Sequence, residues 1–119
     1  MPTDLNAFVE LDFCYLTTIG RVTGRPYTIE IWFALRGNTM YLLSGRGAKA
    51  DWVKNLQRTP AVTVRIHTIH FNGRGRIVQN PKEDVLARRL VVAKYQPRDN
   101  DDLTEWGKTA LPVAIDLLL

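Results

Sequence analysis

The sequence lacks several features that whole classes of protein require. One cysteine, Cys14, in 119 residues excludes an intramolecular disulfide and any zinc or iron–sulfur site built from clustered cysteines. The only long apolar stretch, residues 111–119, is too short to span a bilayer and contains Asp116. The N-terminal residues show no basic region of a signal peptide. The sequence therefore favours a cytoplasmic protein with no integral membrane segment.

Residues that carry out metal, nucleophilic or acid–base chemistry are also scarce. The two histidines, His67 and His70, point to opposite faces if they share one strand, and no carboxylate pair completes a metal site. Cys14 lies in an apolar strand pattern, where cysteine usually packs as a small hydrophobe. Glu30 and Asp51, the only central acids, are explained most simply as solvated or ion-paired side chains. We therefore assign no metal ligand and no catalytic side chain.

What the sequence does contain is enough apolar residues for one domain, residues 1–119, with 45% hydrophobic and 24% charged residues. Period-two alternation dominates the first two-thirds and predicts half-buried antiparallel strands. Helix formers predict helices over 48–57 and from Asn80 to about Tyr95, with one more turn over 102–107. The predicted fold is mainly β, with two or three short helices and a six-stranded antiparallel sheet closed into a small barrel. The predicted strands are 13–19, 27–36, 39–44, 62–67, 69–77 and 111–117.

Charge is distributed unevenly along the chain. The net charge is +4, but residues 1–20 carry −3, residues 21–76 carry +8 and residues 77–119 carry −1. Such a basic segment raises the local concentration of anionic partners. The candidates are nucleic acid, an acidic membrane surface, or a small ligand with phosphate and carboxylate groups.

A turn rich in glycine and basic residues leads from a predicted strand directly into a predicted helix. Glycines let backbone N–H groups approach an anion, and the start of a helix presents unpaired N–H groups and a positive dipole end. The alternative is a solvated turn, and the Gly-Lys-Ser/Thr ending of a P-loop is missing. The candidate cofactor-binding residues of this turn are Ser44, Gly45, Arg46, Gly47, Ala48 and Lys49.

A second basic, glycine-rich turn, residues 20–26, adds Arg21, Thr23 and Arg25 as candidate cofactor-binding residues. Alone it is equally consistent with a solvated hairpin, but two such turns in one small domain favour anion recognition. Trp32 lies on the polar face of its strand, which is typical of an interface or a stacking surface. Trp52, near the first turn, either serves the same purpose or packs in the core.

The segments 16–26, LTTIGRVTGRP, and 51–56, DWVKNL, resemble motifs of the deazaflavin-dependent nitroreductases. Further similar segments follow in the same order: 27–29, 41–45, 59–64 and 111–115. The resemblance spans residues 13–118. No single motif is diagnostic, but their order and spacing are fairly specific.

This resemblance implies a split β-barrel like that of pyridoxamine-phosphate oxidases and flavin reductases, and a homodimer. It implies coenzyme F-420, a deazaflavin whose tail carries a phosphate and several glutamates, and hydride transfer to a small electron acceptor such as a quinone or nitro compound. Carried over by position, Arg21 and Arg25 would meet the tail, and the turn 44–49 would wrap the phosphate. Trp52 and Asn55 would border the pocket.

Three alternatives remain open at this point. An FMN-dependent oxidoreductase of the same barrel class needs fewer cationic contacts, because FMN has one phosphate and no glutamate tail. A flavin- or deazaflavin-binding protein without turnover has the same residue requirements. A nucleic-acid-binding barrel is disfavoured, because single-strand binders interleave basic residues with stacking aromatics, and outward aromatics are few here.

Overall fold

A computed structural model describes residues 5–119, which form one curled antiparallel sheet and three α-helices. The strand order is β2-β1-β5-β6-β7-β4-β3. None of the helices among the described residues is long and apolar enough to cross a membrane. The strands are β1 (Cys14–Ile19), β2 (Pro26–Ile31), β3 (Ala34–Arg36), β4 (Thr39–Ser44), β5 (Ala61–Ile66), β6 (Ile69–Ile77) and β7 (Leu111–Leu118). The helices are α1 (Asp51–Arg58), α2 (Pro81–Tyr95) and α3 (Thr104–Thr109), with 3-10 turns at Leu5–Phe8, Gly47–Lys49 and Gln96–Arg98.

The prediction of six strands is wrong, because the strand predicted over 27–36 is two strands in the structure. Trp32 and Phe33 interrupt it, and β2 and β3 lie at opposite edges of the sheet. Two strands only two residues apart in sequence can occupy opposite edges only if the sheet curls until those edges approach each other. The sheet is therefore a half-barrel of seven strands, and the other predicted strands and helices are confirmed within a few residues.

The break is held by the C-terminal end of α2. The buried Phe33 N–H donates to the Tyr95 hydroxyl at 2.9 Å, and that hydroxyl donates to the Asp12 carbonyl at 2.6 Å. Lys94 Nζ donates to the Phe33 carbonyl at 2.9 Å, and burial lowers the pKa of Lys94 to about 8. Burial likewise raises the pKa of the Tyr95 hydroxyl to about 12, so it stays neutral and can donate. The bend is thus fixed by hydrogen bonds from an element 60 residues away in the chain.

The curled sheet separates two apolar clusters. The concave face encloses Leu16, Leu42, Val64 and Ile115, with Leu56 of α1 packed against them. Gly75 lies in β6 where a Cβ atom would collide with the Leu56 side chain, so only glycine lets α1 pack this closely.

The second cluster lies on the other face of β4 and β7, under α2 and α3. It includes Tyr41, Leu43, Val91 and Tyr95, with Trp32 and Trp106 packed against it. Helix α2 begins as predicted, because the Asn80 side chain accepts hydrogen bonds from the N–H groups of Lys82 and Glu83. Both faces of β4 and β7 are therefore covered, which fixes the position of the turn that follows β4.

An ionic network anchors the first turn of α2 to the sheet. Arg76 of β6 contacts Glu83 at 2.6 Å and Asp116 of β7 at 2.8 Å, and the Tyr41 hydroxyl donates to Glu83 at 2.8 Å. The hydrogen bond from Arg76, followed by that from Tyr41, lowers the pKa of Glu83 to about 2 despite partial burial. The ionised carboxylate therefore stabilises the fold.

Replacing Tyr95 by Phe should lower the free energy of unfolding by about 1–3 kcal/mol, because the buried Phe33 N–H loses its acceptor. Urea unfolding at pH 7 measures the loss. Tyr15→Phe is the matched control, since its hydroxyl bonds Glu30 on the exposed surface and its loss should cost much less. Equal losses in the two variants would contradict the role given to Tyr95.

Replacing Glu83 by Gln should make the protein less sensitive to acid. The folded pKa lies below the ordinary value of 4.5, so the stabilisation is complete above about pH 4.5 and is lost as the pH falls toward 2. The difference in unfolding free energy between wild type and Glu83→Gln should shrink across that interval. Glu105→Gln, at an exposed position, is the control for the effect of the substitution itself. A difference that stays constant from pH 7 to pH 2.5 would refute the assignment.

Candidate functional site

A cleft of about 830 Å³ opens between β2 and the turn that joins β4 to α1. Residues 28–31 of β2 all line it, although side chains of a strand alternate between its two faces. The cleft therefore runs along the backbone edge of β2. This edge is open, since β2 pairs only with β1 among the described strands. Its outward backbone N–H and C=O groups are available to a ligand.

The cleft combines an apolar wall with a polar rim. Apolar side chains of β2, β4 and α1 form the wall, and charged side chains of both predicted anion turns lie at the rim. The lining residues are Thr18, Gly20, Arg21, Val22, Thr23, Tyr27, Thr28, Ile29, Glu30, Ile31, Leu43, Ser44, Gly45, Arg46, Ala50, Asp51, Trp52 and Asn55.

The turn 44–49 joins strand to helix as predicted, with a 3-10 turn at Gly47–Lys49 in between. The Ser44 side chain is buried and donates to the Gly47 carbonyl at 2.9 Å. Its hydroxyl thus closes the turn and is engaged there. Gly47 has a φ of +63°, which favours glycine. Ser44 and Gly45 line the cleft, whereas Gly47 and Ala48 do not.

Arg46 and Lys49 are the cations of this turn that remain unpaired. Both are exposed, and neither side chain has a hydrogen bond or ion pair within residues 5–119. Arg46 lines the cleft, while Lys49 lies one 3-10 turn further along and outside its lining. Ala50 begins α1 without a side-chain cap, so the first N–H groups of that helix lack a side-chain acceptor from this residue.

Asn55 joins the basic turn 20–26 to helix α1. Its buried side chain accepts from the Arg21 backbone N–H at 3.1 Å and from the Arg21 guanidinium at 2.8 Å. It also donates to the Thr18 hydroxyl at 3.3 Å. Arg21 makes a further contact with Asp51 at 3.1 Å. The structure thus brings Arg21 and Asn55 to the cleft, but it uses them to fasten the turn after β1 to helix α1.

The remaining predicted residues divide between cleft and scaffold. Thr23 lines the cleft, and its hydroxyl lies 3.2 Å from that of Tyr27. Trp52, half-buried, lines the cleft and also packs against the inner cluster. Its predicted core packing is thereby confirmed, and its role as a stacking surface stays a prediction. Arg25 is exposed and outside the lining.

The expectation of an outward Trp32 is wrong. Its ring stacks on Tyr95 with centroids 4.3 Å apart, and the residue does not line the cleft. The interruption after β2 turns the residue away from the polar face that strict alternation assigned to it.

The open edge of β2 is the part of the site that sequence reasoning missed. Alternation identifies a strand but not which neighbours it pairs with, so an edge cannot be recognised from it. A retrospective signal is Pro26, because proline is tolerated at strand starts and edges. Glu30 lies on this strand and accepts from the Tyr15 hydroxyl at 3.0 Å, which is the main cause of a raised Tyr15 pKa.

Other reactive groups lie away from the cleft. Cys14 is fully buried beside Met40, and burial raises its thiol pKa to about 12. The thiol therefore stays neutral and packs as a small hydrophobic side chain. Within residues 5–119 there is no cluster of three His, Cys, Asp or Glu side chains suited to a metal ion.

Solved structures share this fold at low sequence identity. A putative 5-nitroimidazole antibiotic resistance protein from Bacteroides thetaiotaomicron superposes with a TM-score of 0.75 at 15% identity, covering 97% of this chain and 78% of that one. An F-420 reductase superposes with a TM-score of 0.70 at 16% identity, covering 100% of this chain and 97% of that one. A putative pyridoxamine 5'-phosphate oxidase from Listeria innocua superposes with a TM-score of 0.71 at 15% identity, covering 97% of this chain and 91% of that one. At these identities the likeness establishes the fold alone.

Kinship is established by sequence. No curated protein sequence matches this chain significantly. The sequence profile of the family described as F420H(2)-dependent quinone reductase matches residues 5–117, nearly the whole chain. The kinship predicted from the motifs is thereby confirmed, and so is coenzyme F-420 as the cofactor. The chain belongs to the F420H(2)-dependent quinone reductase family and is an F-420-dependent oxidoreductase.

Proposed function

We propose that this protein binds reduced coenzyme F-420 in the cleft along β2 and that an electron-poor acceptor, a quinone or a nitro compound, takes the hydride there. One observation carries the proposal. A single cleft joins the open strand edge and an apolar wall to the unpaired Arg46 at its rim. This arrangement suits a ligand with a flat heterocyclic head and an anionic tail. The cleft then corresponds to the opening in the wall of a split β-barrel.

The dimensions and chemistry of the cleft fit such a cofactor. About 830 Å³ lies within the range of roughly 300–1,000 Å³ that is typical of small-molecule sites. Ile29, Ile31 and Trp52 offer apolar surface to a ring system, and the outward backbone groups of β2 offer donors and acceptors to its polar edge. Arg46, with Lys49 and the uncapped start of α1 nearby, offers positive charge to the phosphate.

The residues of the cleft bind and orient, and the bound deazaflavin supplies the hydride. Trp52 and the β2 side chains cover apolar surface and limit access of water to the reacting face. Asn55 and Arg21 keep the two walls at a fixed separation through hydrogen bonds of 2.8–3.1 Å. No catalytic side chain is proposed, because the reaction needs positioning more than proton transfer by the protein.

FMN is the second candidate, and one observation favours it. Arg21 is paired with Asp51, and Arg25 lies outside the cleft lining, so fewer cations face a glutamate tail than the sequence suggested. FMN is a shorter anion with one phosphate and needs fewer cationic contacts. Direct titration with both cofactors distinguishes the two, and an apoprotein that binds cofactor without turnover would support a carrier role.

We further propose a homodimer of single-domain subunits in the cytoplasm. Trp32 no longer supports it, but exposed apolar side chains do. Phe13 and Ile69, each 41% exposed, lie at the same end of the sheet by its register. Contact between these side chains in two copies would remove them from water.

Replacing Arg46 and Lys49 by Ala should weaken F-420 binding by about tenfold to a hundredfold, as expected for loss of charge-assisted hydrogen bonds to an anion. Deazaflavin fluorescence titrations at low and high salt measure the change. The matched control is Lys54→Ala/Arg58→Ala, which removes two exposed charges from α1 outside the cleft lining. The same titrations with FMN test the second candidate.

Equal affinity of the Arg46/Lys49 variant and the wild type would show that this turn is not the anion site. Equal losses in both double variants would show that only the net charge of the domain matters. Tighter binding of FMN than of F-420 at matched salt would favour the second candidate.

Light scattering at micromolar concentration should give twice the chain mass of 13.6 kDa. Replacing Phe13 and Ile69 by Ser should shift the species toward the monomer, because both side chains are exposed and apolar in the single chain. A wild-type monomer at 50 μM would exclude the proposed dimer.

A further inference from the structure

Gly45 has no conformational need to be glycine. Its φ is not positive, unlike those of Gly24, Gly37 and Gly47. A Cβ atom at Gly45 would instead lie 3.3 Å from Nε1 and 3.6 Å from Cδ1 of Trp106. Because Gly45 has no side chain, the N–H edge of the Trp106 indole can approach it closely. Gly45 itself lines the cleft.

The indole N–H of Trp106 has no protein acceptor. It makes no hydrogen bond within residues 5–119, although every buried side-chain nitrogen or oxygen there has a partner. Nε1 therefore keeps some accessible surface, and the residue as a whole is half-buried. An N–H donor without a partner thus lies beside Gly45, one residue before the unpaired Arg46, although Trp106 itself is not among the residues that line the cleft.

The ring is held firmly in this orientation. Trp106 packs edge-to-face on Trp32 with centroids 5.7 Å apart and planes at 88°, and Trp32 stacks on Tyr95. Leu43, which belongs to the same cluster, also lines the cleft, so cluster and cleft are contiguous at the end of β4. A donor fixed by packing loses little conformational freedom when a ligand binds.

We infer that Trp106 is a ligand-binding residue whose indole N–H donates to an anionic oxygen bound at the turn 45–47, the phosphate of the cofactor. The inference rests on the proposed function and deepens it. Trp106 reaches the ligand through the gap at Gly45 and supplies a neutral, directional donor beside the mobile charge of Arg46. Loss of one hydrogen bond to a charged group corresponds to about tenfold in affinity.

The first experiment observes the indole N–H directly. Protein labelled with nitrogen-15 gives one indole signal for each of Trp32, Trp52 and Trp106, and single Trp→Phe variants assign them. Titration with F-420 should move the Trp106 signal downfield and saturate together with deazaflavin fluorescence. Titration with inorganic phosphate should move the same signal, while the signal of Trp32, which has no atom within 4 Å of a Cβ placed at Gly45, stays nearly constant.

The second experiment uses variants. Trp106→Phe should weaken F-420 binding about tenfold, and Gly45→Ala should do the same because its methyl group lies against the N–H edge. Because both act on one donor, the double variant should lose little more than either single variant. Binding of a ribityl-deazaflavin without phosphate and tail should be nearly unaffected by Trp106→Phe.

The outcomes separate this inference from the proposed function. If wild type fails to bind F-420, the proposed function fails, and the phosphate titration alone decides about Trp106. A Trp106 signal that stays fixed with both ligands overturns the inference. So does a folded Trp106→Phe protein with wild-type affinity for F-420. An equal loss for the ribityl-deazaflavin overturns the assignment to the phosphate.

Discussion

The geometry of this molecule depends on the hydrogen bonds that hold the bend at Phe33. A β-strand continues unless something stops it, and here the Tyr95 hydroxyl and the Lys94 ammonium take up the N–H and C=O groups that would otherwise extend the ladder. With those groups engaged, β2 and β3 separate to opposite edges of the sheet. The curl, the open edge of β2 and the cleft beside it all follow. Two side chains at the end of α2 thus determine where the site can form.

This dependence also explains how far the sequence could be read. Local signals were sufficient for most elements: Asn80–Pro81 gave the start of α2, and alternation gave β1, β4, β5 and β6. The bend could not be predicted, because the alternation of apolar and polar residues runs through Trp32 and Phe33. The residues that cause the bend, Lys94 and Tyr95, lie about 60 residues later in the chain. The seventh strand and the inward position of Trp32 were not predicted, for the same reason.

The candidate site shows a similar division. Its location was predictable, since glycines and cations between a strand and a helix are a local feature, and Arg46 lines the cleft. The roles of individual side chains were not. Ser44, Arg21 and Asn55 were assigned to a ligand, yet their hydrogen bonds close a turn and fasten the turn after β1 to helix α1. Spacing in a sequence cannot reveal whether a polar group is already satisfied by a distant partner.

The open edge of β2 has a consequence for how such a protein can diversify. Most side chains of β2 are exposed, and the strand is held by its ladder to β1, which uses backbone atoms. Exposed positions tolerate substitution at small energetic cost. Thr28 and Glu30 can therefore change in size or charge while the backbone edge beside them stays in place. In the proposed site, the lining of this wall can therefore change by point mutation on one strand, independently of the turn 44–49 on the opposite wall.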